Sequence, residues 1–129
     1  MKWQGEFQIA DWQEQTRESS VVLTGGKRTT AIVNQVYQGD IQGTSELQYS
    51  MVYDGEGNAR FSGIELIQTE LGAQSHILVL SHQGKFSQGV ASSEFEVVDS
   101  EPKHSIIGAQ GQFTSGEGGK AEYYLEKRS

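Results

Sequence analysis

The sequence predicts an all-β fold, a single closed antiparallel β-barrel of about eight strands spanning residues 1–129. Three observations predict it. Apolar and polar side chains alternate with period two along most of the chain, glycine-bearing turns separate the alternating runs, and no segment carries a helical period of useful length. The 16 glycines and single proline suit many tight turns, and no shift in composition marks a domain boundary. Closure follows because an open sheet of this size leaves two unpaired edges.

The first strand alternates Trp3, Gly5, Phe7 and Ile9 with Lys2, Gln4, Glu6 and Gln8, and the polar stretch from Gln13 to Ser20 reads as loop. A second strand runs from Lys27 to Gln38 and turns at Gly39-Asp40. A third sets Leu47, Tyr49, Met51 and Tyr53 on one face and turns through Asp54-Gly55-Glu56-Gly57-Asn58. The fourth aligns Ala59, Phe61, Gly63, Glu65, Ile67 and Leu71, then returns at Gly72-Ala73. The fifth alternates His76, Leu78, Leu80, His82, Gly84 and Phe86 with Ile77 and Val79. After Ser87-Gln88 a sixth carries Ala91, Ser93, Phe95 and Val97. The last two fit Ile107 to Ser115 and Lys120 to Lys127, joined by Gly116 to Gly119.

Turn geometry then fixes a register. A two-residue loop at Gly72-Ala73 pairs Leu71 with Gln74, and so Ile67 with Leu78, Glu65 with Leu80 and Gly63 with His82. A two-residue loop at Ser87-Gln88 pairs His82 with Ser93, Leu80 with Phe95 and Leu78 with Val97. The turn at Asp54–Asn58 pairs Met51 with Phe61 and Tyr49 with Gly63. Each pairing puts apolar residues on one common face, which a one-residue slip would scramble.

The register produces a row of Tyr49, Gly63, His82 and Ser93, with Glu65 diagonal to His82. A carboxylate and an imidazole thus share an apolar face, where a charged group costs several kcal/mol unless paired. A contact from Glu65 to His82 or Tyr49 is expected. Buried pairs of this kind have shifted pKa values, as acid–base chemistry requires, so Glu65, His82 and Tyr49 are the candidate catalytic residues. Gly63 leaves a gap in the row, and Phe61, Gly63, Ser93, Phe95 and Met51 are the candidate ligand-binding residues. The alternative is a polar network that only satisfies itself and closes the core.

Composition narrows the partners. A formal net charge of −7 and a pI near 4.9 argue against nucleic acid and against an anionic membrane surface. With no cysteine there is no disulfide, thiolate nucleophile or cysteine-ligated metal. The start, Met1 to Glu6, has no apolar core of a signal peptide, and the longest aliphatic run, Ile77 to Leu80, is too short to span a bilayer. The cytoplasm is the expected location. Outward Ile64, Leu66, Ile77 and Val79 form an apolar patch, which predicts a homo-oligomer, a dimer in the simplest case.

Familiar motifs fail on their details. Gly25-Gly26-Lys27-Arg28-Thr29 lacks the earlier glycine and the following helix of a phosphate loop. Asp54, Glu56, Asn58 and Glu65 imitate a calcium loop, yet Ala59 stands where glycine is needed. His76 and His82 lie roughly 20 Å apart along one strand at ~3.3 Å per residue, so they share no ion. No metal or cofactor is expected, and no Gly-x-Ser-x-Gly elbow is present.

One run of cues points to a family. It comprises Gly39-Asp40-Ile41-Gln42-Gly43-Thr44-Ser45, Tyr49-Ser50-Met51-Val52-Tyr53, Phe61-Ser62-Gly63-Ile64-Glu65, Leu80-Ser81-His82-Gln83-Gly84-Lys85-Phe86 and Gly108-Ala109-Gln110-Gly111-Gln112-Phe113. Together they resemble a bacterial family of unknown function whose members are similar to allene oxide cyclase barrels. The resemblance implies a small antiparallel barrel, often oligomeric. No cyclase motif matches these residues, so the activity does not transfer. Three functions stay open: a barrel binding a small apolar or amphipathic ligand, a cofactor-independent isomerase or cyclase using Glu65 and His82, and a structural or oligomerisation module.

Overall fold

The computed structural model describes residues 1–18, 21 and 23–128. Its strands are β1 (Lys2–Thr16), β2 (Lys27–Gly39), β3 (Gly43–Tyr53), β4 (Ala59–Leu71), β5 (Gln74–Ser87), β6 (Val90–Glu101), β7 (Gln110–Ser115) and β8 (Lys120–Glu126). A single 3-10 turn, Glu117–Gly119, precedes β8. Neighbours in sequence are antiparallel neighbours in space, and β8 pairs with β1 to close the barrel. Every strand therefore has two partners, and the edges left are short: β1 beyond Gln8 pairs only with β2, and the end of β6 only with β5.

Registers between β3 and β4 and between β4 and β5 match those read from the turns: Tyr49 opposes Gly63, which opposes His82, and Leu71 opposes Gln74. Between β5 and β6 the reading is corrected by two residues. His82 opposes Phe95, Gly84 opposes Ser93 and Leu80 opposes Val97. The loop is Gln88-Gly89, with φ of +52° and +80°, which is the backbone of a twist-matched hairpin that glycine favours at its second position. A slip of two preserves which face each residue occupies, so the interior set survives.

Two strand limits also differ. The stretch read as loop from Gln13 onward is strand to Thr16, pairing Trp12 with Val33, Glu14 with Ala31 and Thr16 with Thr29. Ser19 and Ser20 lie outside the described residues. A register shift between Ile9 and Asp11 leaves Ala10 as an extra residue, so inward positions change from Phe7 and Ile9 to Trp12 and Glu14. At the other limit, β7 begins at Gln110 rather than Ile107. The preceding segment turns at Gly108 (φ +94°) and inserts Ile106 and Ala109, both fully buried, into the barrel.

The barrel has two distinct ends. One carries the turns 54–58, 88–89 and 116–119, and the other carries 40–42, 72–73 and the 102–109 segment. Lys127 ties that last segment down, its Nζ donating to the carbonyls of Ser105 and Ile107 at 2.5 and 2.6 Å. Of the patch read from sequence, Ile64, Leu66 and Ile77 are exposed and Val79 half-buried, so it faces outward, and Val98 on β6 is exposed as well. No helix among the described residues is long and apolar enough to cross a membrane.

Candidate functional site

Glu65 sits at the middle of the barrel with 0% of its surface exposed. Burial without partners would be prohibitive for a carboxyl group, and three side chains supply them. His82 Nε2 donates to Oε1 at 2.6 Å, while the Tyr37 and Ser45 hydroxyls both donate to Oε2 at 2.6 Å. The second ring nitrogen of His82, Nδ1, lies 3.2 Å from Ser93 Oγ. Burial, and then the adjacent Glu65 charge, push the Tyr37 hydroxyl well above the ordinary tyrosine range, so it stays a neutral donor.

The expected Glu65–His82 contact is present and direct. Tyr49 takes a different place: its ring stands edge-on to His82 at 6.2 Å, packs on Phe61 at 4.6 Å, and donates no hydrogen bond to Glu65 among the described residues. Burial and the Glu65 charge raise its hydroxyl far above the usual value. The gap expected at Gly63 is filled. A Cβ there would stand 2.2 Å from the Gln48 carbonyl and 2.9 Å from the Tyr49 ring. Gly63 thus lets Tyr49 cross the sheet to His82 and leaves no room for a ligand. Phe95 covers the other side of the imidazole at 5.1 Å.

Open space lies further toward the end bearing turns 54–58 and 88–89. A cavity of about 80 Å³ is walled by Phe7, Tyr49, Met51, Phe61 and Phe113. Its mouth is formed by Trp12, Phe86, Ala91, Ser115 and Lys120, most of them half-buried or exposed. Of the residues proposed from sequence, Tyr49, Met51 and Phe61 line it. Gly63, Ser93 and Phe95 belong instead to the surroundings of His82. Neither Glu65 nor His82 is part of the wall.

Two features escaped the sequence reading. Gln35 is only 3% exposed, lines the cavity, and its Oε1 has no hydrogen-bond partner among the described residues. Tyr37 and Ser45 complete the Glu65 network. All three sit on or beside the β2–β3 hairpin, where Gln35 opposes Ser45 and Tyr37 opposes Gly43. Carrying the register through the turn at 40–42 would have placed them.

A second polar group steadies the mouth. The Glu14 carboxylate accepts from Thr29 Oγ1 and Tyr53 OH, each at 2.7 Å, and from Trp12 Nε1 at 3.0 Å. Partial burial raises its pKa, but hydrogen bonds from Thr29, Tyr53 and Trp12 outweigh that, and the net shift is downward. Tyr53 is pushed up to about 12 by burial and by the same carboxylate. Trp12 is thereby held with its ring 6.2 Å from Tyr49, over the cavity.

At the opposite end His104, placed in a loop by the sequence, meets His76 edge-to-face at 5.2 Å. Each has its Nδ1 engaged, by Gln74 O for His76 and by the Ile106 N–H for His104. The turn that imitated a calcium loop is a hairpin in which Asp54 Oδ1 accepts from the Glu56 and Asn58 backbone N–H groups.

The barrel agrees with what the chain is similar to. The family model described as "Protein of unknown function (DUF3224)" matches residues 3–126. The chain belongs to that family. A crystal structure of a DUF3224 family protein with unknown function, from Shewanella oneidensis MR-1, superposes with a TM-score of 0.69 at 16% identity. It covers 100% of this chain and 98% of that one, and at such identity the likeness establishes the barrel alone. No curated protein matches the chain. The family resemblance read from the glycine turns and strand residues is thus confirmed.

Proposed function

We propose that this DUF3224 barrel binds a small, largely apolar molecule in the cavity between Tyr49 and Trp12. The observation that carries the reading is the cavity itself, because a barrel of this size can fill its interior with side chains and at this end does not. Protein interiors are close-packed, and voids lined by aromatic rings forfeit contact energy that a ligand restores. At about 80 Å³ the enclosed part is smaller than the ~300 Å³ of ordinary ligand pockets, so the ligand is small or extends outward past Trp12 and Phe86.

The isomerase reading has less support. Both ring nitrogens of His82 are engaged, and no wall of the cavity is formed by Glu65 or His82. The Glu65 network instead supplies a rigid floor. The outer patch of Ile64, Leu66, Ile77 and Val98 supports self-association into a homodimer. Sedimentation at micromolar concentration that finds only monomer would refute that part.

Met51 lines the cavity while Met1 is exposed, so methionine methyl NMR isolates the site with two signals. Titration with toluene is expected to shift the Met51 methyl saturably and leave Met1 unmoved. Ala91→Leu, which fills the mouth, should abolish the shift in a protein that still melts cooperatively. An unresponsive Met51, or a response that survives Ala91→Leu, overturns the reading.

A further inference from the structure

The cavity wall is almost entirely apolar, and among the described residues it carries one fully buried polar atom without a hydrogen-bond partner. Gln35 is 3% exposed, and its carboxamide oxygen, buried, has no hydrogen-bond partner among the described residues. Its neighbours do not offer one: the Ser45 hydroxyl opposite it on β3 donates to Glu65. Buried side-chain acceptors are normally paired, and one left unpaired is costly. Leucine or methionine would have filled this position without that cost. The terminal torsion of a glutamine is soft, so the amide can turn its oxygen toward a bound molecule.

The charge of the surroundings decides what kind of molecule. Among the described residues Lys120 is the only cation lining the cavity, and it stands exposed at the mouth, where an ion pair is worth little. Deeper in, the phenol of Tyr49 stays protonated, and behind it lies the buried carboxyl group of Glu65. An anion pushed to the depth of Gln35 would lie uncompensated among aromatic rings. A carboxylate has no hydrogen to donate to the amide oxygen and could engage only the Gln35 N–H, still as an uncompensated charge.

We infer that the ligand is a neutral molecule with a slim apolar or aromatic body and a hydroxyl or N–H that donates to Gln35. This rests on the cavity being a binding site. It names the ligand's chemical class, which the cavity alone does not. A ring is the natural body: Phe7, Tyr49, Phe61 and Phe113 surround the space with aromatic faces and edges. A void of about 150 Å³ encloses a benzene ring, so in this cavity of about 80 Å³ the far side of a ring would rest between Trp12 and Phe86.

Four probes of nearly one size test the inference through the Met51 methyl signal: toluene, anisole, phenol and benzoate. Phenol is expected to bind about tenfold more tightly than toluene or anisole, the value of one good hydrogen bond to a buried acceptor. Benzoate should bind weakest. Gln35→Leu should remove the phenol advantage while toluene binding persists or strengthens. The anisole comparison needs no mutation, so the test holds if Gln35→Leu folds poorly.

The outcomes separate the two readings. If no probe moves Met51, the cavity is not a binding site and both readings fall. If toluene, anisole and phenol bind equally, the site stands and the role of Gln35 is overturned, its oxygen being paired by an internal water only. Tightest binding by benzoate overturns neutrality in favour of an acid anchored at Lys120. A phenol preference that survives Gln35→Leu also overturns the assignment.

Discussion

The two halves of the barrel interior solve the same packing problem in opposite ways. Around Glu65 every polar atom is answered: His82, Tyr37 and Ser45 converge on one carboxyl group, and the 102–109 segment seals the end behind it with Ile106. Around Gln35 a polar atom is left unanswered, a void remains, and the mouth is half-open under Trp12. A sealed, satisfied half gives a fixed scaffold, and an unsatisfied half gives a place for something else. Polar burial by itself therefore does not mark the site. Under the proposed reading, the incomplete hydrogen bond does.

Mutations sharpen that contrast, and the largest effect belongs to the sealed half. Glu65→Ala strands His82, Tyr37 and Ser45 in the core and should cost about 3–5 kcal/mol, read by urea denaturation. Glu65→Gln should cost only about 1 kcal/mol. Its carbonyl can still accept from Tyr37 and Ser45, and its amide can donate to His82 if the imidazole proton moves to the Ser93 side. A loss for Gln as large as that for Ala would mean that charge, not hydrogen bonding, holds the floor.

Ile106→Ala, in the plug, should destabilise by about 2–5 kcal/mol, since it empties a fully buried site. In the open half, Gln35→Leu should be neutral or stabilising by about 1 kcal/mol, because it removes an unpaired acceptor. If Gln35→Leu destabilises as much as Ile106→Ala, the two halves are not distinct and the contrast collapses.

The smallest effect is one of pH. The pKa of Glu14 in the fold lies below its ordinary 4.5, so its contribution is complete above that value and is lost as pH falls through the folded value. In a Trp3→Phe background, Trp12 fluorescence should therefore change in acid as its Glu14 partner is protonated. Glu14→Gln should remove that transition. Fluorescence independent of pH down to global unfolding would show that Glu14 does not hold the indole.

Most of the fold was legible because period-two patterning and glycine turns are local signals. The registers of β3, β4 and β5 followed from loops whose residues announce their length, and with them came the Glu65–His82 contact. At Gln88-Gly89 a glutamine adopts φ of +52°, which composition does not advertise, and the reading slipped by two. The polar run after Asp11 hid a strand because its outward residues, Gln13 and Gln15, are hydrophilic and its inward Glu14 is too. The cavity was half legible: Tyr49, Met51 and Phe61 were placed near a ligand, but for a gap at Gly63 that Tyr49 occupies. Empty space is a property of three-dimensional packing, and no single strand encodes it.

Ala10 gives the mouth an unusual genetic lever. As the extra residue of β1 it acts like a frameshift in the inside–outside alternation, and everything from Asp11 to Thr16 is read in the shifted frame. Removing Ala10 alone would only straighten the strand and leave Trp12 and Glu14 inward, whereas removing Asp11 with it would turn Gln13 and Gln15 toward the opening and send Trp12 and Glu14 outward. Two deleted codons would exchange an aromatic roof for a hydrophilic rim without touching the floor at Glu65. Under the proposed reading, ligand preference in this barrel can diverge by insertion and deletion in the first strand, a route that substitution matrices do not score.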